Sequence, residues 1–121
     1  MSESGRAVVH EPPTRARRVR IYIGESDRWQ GGPLFEAIVM KARELHLAGA
    51  TVLRGPMGFG AGSRIHTAKI LRLSEDLPIV IEIVDTAERI ERLGPHLAEM
   101  VTGGLVTIEE VGVWMQGGAG G

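Results

Sequence analysis

Between Arg54 and Lys69 the chain reads Arg-Gly-Pro-Met-Gly-Phe-Gly-Ala-Gly-Ser-Arg-Ile-His-Thr-Ala-Lys. Glycine at Gly55, Gly58, Gly60 and Gly62 lets the backbone take positive φ and bring its N–H groups close to a ligand. From Arg54 to Ser74 the bases are Arg54, Arg64, Lys69 and Arg72, with no Asp or Glu among them, in a chain of formal net charge −1. The chemistry on offer is anion binding. Backbone N–H groups, Arg54, Ser63, Arg64 and Lys69 can receive phosphate or carboxylate oxygens, arginine by bidentate contact. The plainer alternative is a turn whose glycines only permit a tight reversal; the unopposed bases favour the anion. No Gly-Lys-Ser/Thr follows, so this is not a P-loop, and Gly58-Phe-Gly-Ala-Gly lacks the dinucleotide-binding spacing.

Met57 and Phe59 stand where a solvated loop prefers polar residues. They can stack on an adenine ring or pack against a neighbouring subunit, and packing is the expectation. His66 reads as a phosphate contact, an acid–base group or a core residue. No second His, Cys or carboxylate lies at ligand spacing, so no metal site is expected. His46, near a helix end, complements the helix dipole. Glu82 lies amid apolar residues and needs a partner if buried; Arg64 is the candidate. There is no Ser-His-Asp ordering, activated nucleophile or carboxylate pair. Catalysis is therefore not expected, and a phosphate-chemistry enzyme using His66 with a carboxylate such as Glu82 is the second reading.

The elements that must position this segment follow from periodicity. Arg18–Gly24 alternates, with Val19, Ile21 and Ile23 on one face and Arg18, Arg20 and Tyr22 on the other, which predicts a half-buried strand. Gly31-Gly32-Pro33 opens a helix carrying Leu34, Phe35, Ile38, Ala42 and Leu45, with Gly49 as its stop. Ala50–Arg54 predicts a second strand running into the glycine segment. Pro78–Val84, β-branched at five positions, predicts a central strand covered on both sides. Asp85-Thr-Ala-Glu88 has capping-box spacing before a helix with Ile90, Leu93, Leu97 and Met100, which Gly94-Pro95 should kink or restart. Gly103-Gly104 ends that helix, and Leu105–Met115 supplies a last strand with a break near Glu109-Glu110. The sum is an α+β, ferredoxin-like βαββαβ sandwich: one sheet, two helices on one face. The stretch Gly55–Leu77 is longer than compact domains allow without function or extra structure.

Composition narrows the class. At 121 residues, 43% of them hydrophobic, there is room for one domain, expected over residues 18–116. Residues 1–17, with Pro12-Pro13 and scattered arginines, read as a basic disordered tail, and residues 117–121 as a glycine-rich one. So small a core favours an oligomer. The absence of cysteine excludes disulfides, zinc-thiolate sites and thiol catalysis. No apolar run reaches membrane-span length and no secretory h-region is present, so a cytoplasmic location without membrane insertion is expected. Near-neutral charge argues against nucleic acid as a partner, despite Arg15, Arg17, Arg18 and Arg20.

Several segments carry a family resemblance: Arg20-Ile-Tyr-Ile-Gly-Glu-Ser, Pro33-Leu-Phe-Glu-Ala-Ile, Ala48-Gly-Ala-Thr-Val-Leu-Arg-Gly, Met57-Gly-Phe-Gly, Ser63-Arg-Ile-His-Thr-Ala and Leu73-Ser-Glu-Asp-Leu-Pro-Ile-Val-Ile-Glu-Ile-Val-Asp, with Gly103-Gly-Leu-Val-Thr. Together they resemble a bacterial and archaeal domain-of-unknown-function family grouped with the PII-like signalling proteins. The resemblance implies a ferredoxin-like fold and a homotrimer. It also implies an adenine nucleotide or other anionic effector in clefts between subunits, as a ligand rather than a cofactor. By order along the chain, the ligand-sensing loop of PII proteins corresponds to Gly55–Leu77, and their phosphate-contacting turn to Thr102, Gly103 and Gly104. The PII loop tyrosine and phosphate-turn lysines have no counterpart here. Relatives encoded near ion-exporting membrane proteins point to a transport partner.

Overall fold

The computed structural model describes residues 6–55, 57–59, 65–67 and 77–117. Strand β1 (Val8–Gly24) leads through two short strands, β2 (Arg28–Trp29) and β3 (Gly32–Pro33), into helix α1 (Leu34–Glu44). Strand β4 (Thr51–Arg54) is followed by β5 (Met57–Phe59) and β6 (Ile65–Thr67), then by β7 (Pro78–Asp85), helix α2 (Ala87–Met100) and β8 (Leu105–Gln116). The main sheet has the order β4-β7-β1-β8 with every neighbour antiparallel. Each helix links two strands that are not adjacent, which is the ferredoxin-like topology expected from the element order.

Period-2 alternation decides which face is buried. Val19, Ile21 and Ile23 of β1 lie opposite Ile83, Ile81 and Ile79 of β7. All six join one core with Leu34, Ile38 and Ala42 of α1 and Ile90, Leu93, Leu97 and Met100 of α2. Each of these side chains larger than alanine stabilises the fold by roughly 1.5–3 kcal/mol when removed from water. Both helices therefore cover the same face. The other face carries Arg18, Arg20 and Tyr22, and no helix among the described residues lies over it. Val80 and Glu82 are half-buried there and Val84 is exposed, so β7 is central in the sheet but not covered on both sides as expected.

Five features of the elements differ from expectation. Strand β1 starts at Val8 rather than Arg18, because the long β8 offers partners to Val8, Val9 and Thr14. Pro12 and Pro13 fall in the register shift between Val9 and Thr14, where a missing N–H removes no ladder bond. Helix α1 ends at Glu44, well before Gly49. His46 supplies the left-handed residue (φ 62°), and Leu47 N–H donates to Ala42 C=O at 3.0 Å. At the start of α2 the cap is Thr86, whose Oγ1 accepts from Arg89 N–H at 3.2 Å. Asp85 instead ends β7, buried, and its carboxylate accepts from Ala48 N–H at 2.8 Å and Thr86 N–H at 2.7 Å. Helix α2 runs through Pro95 without a restart; Pro95 is exposed, so the carbonyl it frees can face water. Strand β8 likewise passes Glu109-Glu110 unbroken.

Candidate functional site

Antiparallel pairing gathers four strand ends at one end of the sheet. Gly24 at the end of β1 pairs with Pro78 at the start of β7, Arg54 at the end of β4 pairs with Ile79, and Tyr22 pairs with Leu105 at the start of β8. The connection Gly55–Leu77 leaves and re-enters at this end, which is also the end of the turn that carries Thr102, Gly103 and Gly104. Its two feet are bonded to the sheet. Gly55 N–H donates to Pro78 C=O at 2.8 Å, and Glu25 N–H donates to Leu77 C=O at 2.8 Å.

Arg54 is the best-defined member of the expected anion site. Its Nε donates to Glu25 Oε2 at 2.9 Å and its Nη2 lies 2.8 Å from the same oxygen. The guanidinium carbon lies 5.7 Å from the Phe35 ring centroid, within cation–π range. Within the connection, β5 and β6 form a small antiparallel ladder that sets Met57 opposite Thr67, Gly58 opposite His66 and Phe59 opposite Ile65. This brings Gly58, Phe59 and His66 together on one hairpin. Gly60, Gly62, Ser63, Arg64 and Lys69 lie outside the described residues.

The glycine pair on the other side divides into two roles. A side chain at Gly104 would place its Cβ 2.5 Å from the Tyr22 carbonyl oxygen, 2.9 Å from Ile23 Cγ2 and 3.0 Å from Val101 Cγ1. Gly104 is thus fixed by the close passage of its backbone against β1. At Gly103 a Cβ would meet nothing within 4 Å, so that position is open to solvent or to a ligand. Thr102, Gly103 and Gly104 are all exposed.

Arg54–Gly55 and Thr102–Gly104 share an end of the sheet but stand on opposite edges, β4 and β8, with β7 and β1 between them. Three strand spacings of about 4.8 Å separate those edges by roughly 14 Å. A cavity of about 200 Å³, lined by Arg15, Ala16, Arg17, Ala87 and Glu110, lies at the far end of the sheet and involves none of the expected site residues.

The uncovered face holds a second arrangement that sequence reasoning assigned differently. The partner of Glu82 is Arg20, whose Nε donates to Oε2 at 2.8 Å, rather than Arg64. Arg18 Nη2 donates to Glu109 Oε1 at 2.7 Å, and Arg20 Nη1 reaches the same oxygen at 3.3 Å. The hydrogen bond from Arg18, reinforced by the charges of Arg18 and Arg20, holds the Glu109 carboxyl below the usual carboxylate range. The bond to Glu82 raises the Arg20 guanidinium further. Two bases and two acids so close sum to zero charge. Around them Tyr22, Leu53, Val84 and Leu105 are exposed, Leu105 to 58%. The pairing was legible only in part: Arg18 and Arg20 share a face by alternation, but which acids meet them depends on strand register.

Sequence missed Glu25 and Phe35 as neighbours of Arg54; the one signal was Glu25 following directly on a strand. Among the described residues, no three His, Cys, Asp or Glu side chains lie close enough to hold a metal ion, and no helix is long and apolar enough to cross a membrane.

Comparison with known proteins places these features in context. Residues 16–113 match the family model DUF190, described as "Uncharacterized ACR, COG1993". A UPF0166 protein of Aquifex aeolicus is 34% identical over 102 residues, covering 82% of this chain and 93% of its own. One from Methanocaldococcus jannaschii is 34% identical over 101 residues, covering 83% and 93%. Among solved structures, CPII of Thiomonas intermedia K12 bound to ADP and bicarbonate superposes with a TM-score of 0.63 at 14% identity, covering 84% of this chain and 90% of that one. A second structure of the same protein, described as a nitrogen regulatory PII-like protein bound to ADP, AMP and bicarbonate, matches equally well. At that identity the likeness concerns the fold.

Proposed function

We propose that this chain, which belongs to the DUF190 family and has a PII-like ferredoxin fold, is a signalling subunit rather than an enzyme. In this reading it forms a homotrimer and binds an anionic effector, an adenine nucleotide, in clefts between subunits. The observation that carries the proposal is the placement of the two glycine-containing segments. Arg54–Gly55 and Thr102–Gly104 face one end of the sheet from opposite edges, about 14 Å apart by strand spacing. Within one chain these strand ends stand on opposite edges, whereas the β4 edge of one copy beside the β8 edge of the next would bring them together. The uncovered sheet face supports the same assembly, since its charges are mutually paired and exposed apolar side chains surround them.

Anion chemistry would come from Arg54, Ser63, Arg64, His66 and Lys69 together with N–H groups of Gly58, Gly60 and Gly62 on one side, and from Thr102, Gly103 and Gly104 on the other; the Gly55 N–H is already given to Pro78 C=O. Phe59 offers a ring for a base. CPII binds ADP and bicarbonate, which supports an adenine nucleotide and adds a small carboxylate-like anion to the ligands worth testing. Binding would change the conformation of the connection 55–77 and with it the affinity for a partner, here a membrane-transport protein. The enzyme reading loses its second group, because Glu82 is engaged by Arg20 on the uncovered face.

Calorimetry across ATP, ADP, AMP, cyclic nucleotides, bicarbonate and simple carboxylates tests the proposal, with sedimentation equilibrium run in parallel. A trimer that binds an adenine nucleotide, and binds it at least tenfold more weakly as Arg54→Ala, is the expected result. A folded protein giving no heat with any of these ligands, or a monomer that binds them fully, would sink it.

A further inference from the structure

One residue grips both feet of the connection 55–77. The Glu25 backbone N–H donates to Leu77 C=O at 2.8 Å, at the re-entry foot. Its carboxylate Oε2 accepts from Arg54 Nε at 2.9 Å and lies 2.8 Å from Nη2, at the exit foot. These two nitrogens form one edge of the guanidinium, and Phe35 stacks near it at 5.7 Å. The Arg54 side chain is nonetheless 54% exposed, so an anion arriving from solvent can reach it. Glu25 is less exposed, at 26%, but water reaches the Arg54 side of the pair, and screening there together with the ordering of two flexible side chains limits its strength. A phosphate bearing more than one negative charge competes well against a single carboxylate.

We propose that Glu25 is a resting counter-ion for Arg54 that an incoming polyphosphate displaces, so that anion binding and the Glu25–Arg54 pair exclude one another. The inference rests on the anionic-effector reading above and deepens it. Glu25 sets the threshold for binding: its negative charge occupies the best donor edge of Arg54 and repels the ligand from close range. Displacement also removes the side-chain tie at one foot while the Glu25 N–H still holds Leu77. Anion arrival thereby frees the Arg54 side chain, while the backbone bonds from Gly55 to Pro78 and from Glu25 to Leu77 keep both feet on the sheet.

The test compares wild type, Glu25→Gln, Arg54→Lys and the double variant, all as full-length chains. Glu25→Gln keeps the backbone bond to Leu77 and leaves an amide oxygen for Arg54, so the fold has no reason to fail. Removing one like charge several ångströms from the ligand should tighten ADP binding about fivefold, and Arg54→Lys should abolish that gain. Equal or weaker binding by Glu25→Gln, or a gain that survives in the Arg54→Lys background, overturns the proposal. The Arg54 Nε–H resonance, assigned by its loss in Arg54→Lys, gives a readout that does not depend on nucleotide. Titration with pyrophosphate should move it away from its Glu25-bonded position. If ADP binds none of the variants, the effector reading falls while this titration still decides the latch: a moving resonance supports it, and one unchanged at saturating pyrophosphate overturns it.

Discussion

Strand β7 presents Ile79, Ile81 and Ile83 to one side and Val80, Glu82 and Val84 to the other, and the two sides follow different rules. Toward the helices, aliphatic rows from β1 and β7 interdigitate with both helices and shed nearly all their solvent contact. On the uncovered side, charges occupy the middle and apolar side chains stay exposed around them. A strand buried on both faces and a strand buried on one can carry the same apolar sequence. The contrast teaches that the excess hydrophobicity of β7 reports on a surface, and that the chain's own helices satisfy only half of it.

The sharpest way to break the contrast is to delete volume from each side of the same strand. Ile81 is fully buried, and Ile81→Ala should lower unfolding free energy by about 2–5 kcal/mol in denaturant titration, independent of protein concentration. Gly104→Ala tests the joint where β8 enters the sheet. Its Cβ would strike the Tyr22 carbonyl at 2.5 Å, and the expected loss is about 1–3 kcal/mol, accompanied by shifted amide resonances along the end of β1. Val84→Ala, on the uncovered side and 38% exposed, should cost less than about 1 kcal/mol in dilute solution. If that loss grows as protein concentration rises, the uncovered face is an interface; if it already matches Ile81→Ala at high dilution, the two faces are not different in kind.

The smallest effect is electrostatic. Arg18 and Arg20 hold the folded-state Glu109 carboxyl below its usual range, so the unfolded chain takes up the proton first as pH falls. The stability from this group is fully present above the ordinary carboxylate range and is lost as pH drops through the lowered folded value. An acid titration of thermal stability should therefore fall less steeply below the carboxylate range in Glu109→Gln than in wild type. Equal slopes would mean that the cluster is held by geometry and not by charge.

Much of the fold was legible because its signals are local. Alternation at Val19, Ile21 and Ile23, the helical stripe Ile90, Leu93, Leu97 and Met100, and the order of elements are properties of neighbours in sequence. What failed was also physical. The arm before Arg18 reads as a tail because its prolines and arginines lack a period, yet β8 supplies backbone partners from ninety and more residues away. The cap moved from Asp85 to Thr86 because burial gave Asp85 two other donors, Ala48 and Thr86 N–H. In the candidate site, sequence singled out Arg54 and the glycines by type, but not the residues that surround them.

By itself, then, the sequence determined the alternating strands, the amphipathic helices, their order, and a basic glycine-rich stretch, Arg54–Ser74, with no acid within it. These follow from backbone sterics and the burial of apolar rows, which act over a few residues. Only tertiary structure decided that Glu25 holds Arg54, that Arg20 rather than a loop arginine meets Glu82, and that Gly104 is fixed by packing while Gly103 stays open. Strand register decides such pairings. A shift of one residue would carry every side chain to the other face, and register emerges only when the whole sheet closes on its core.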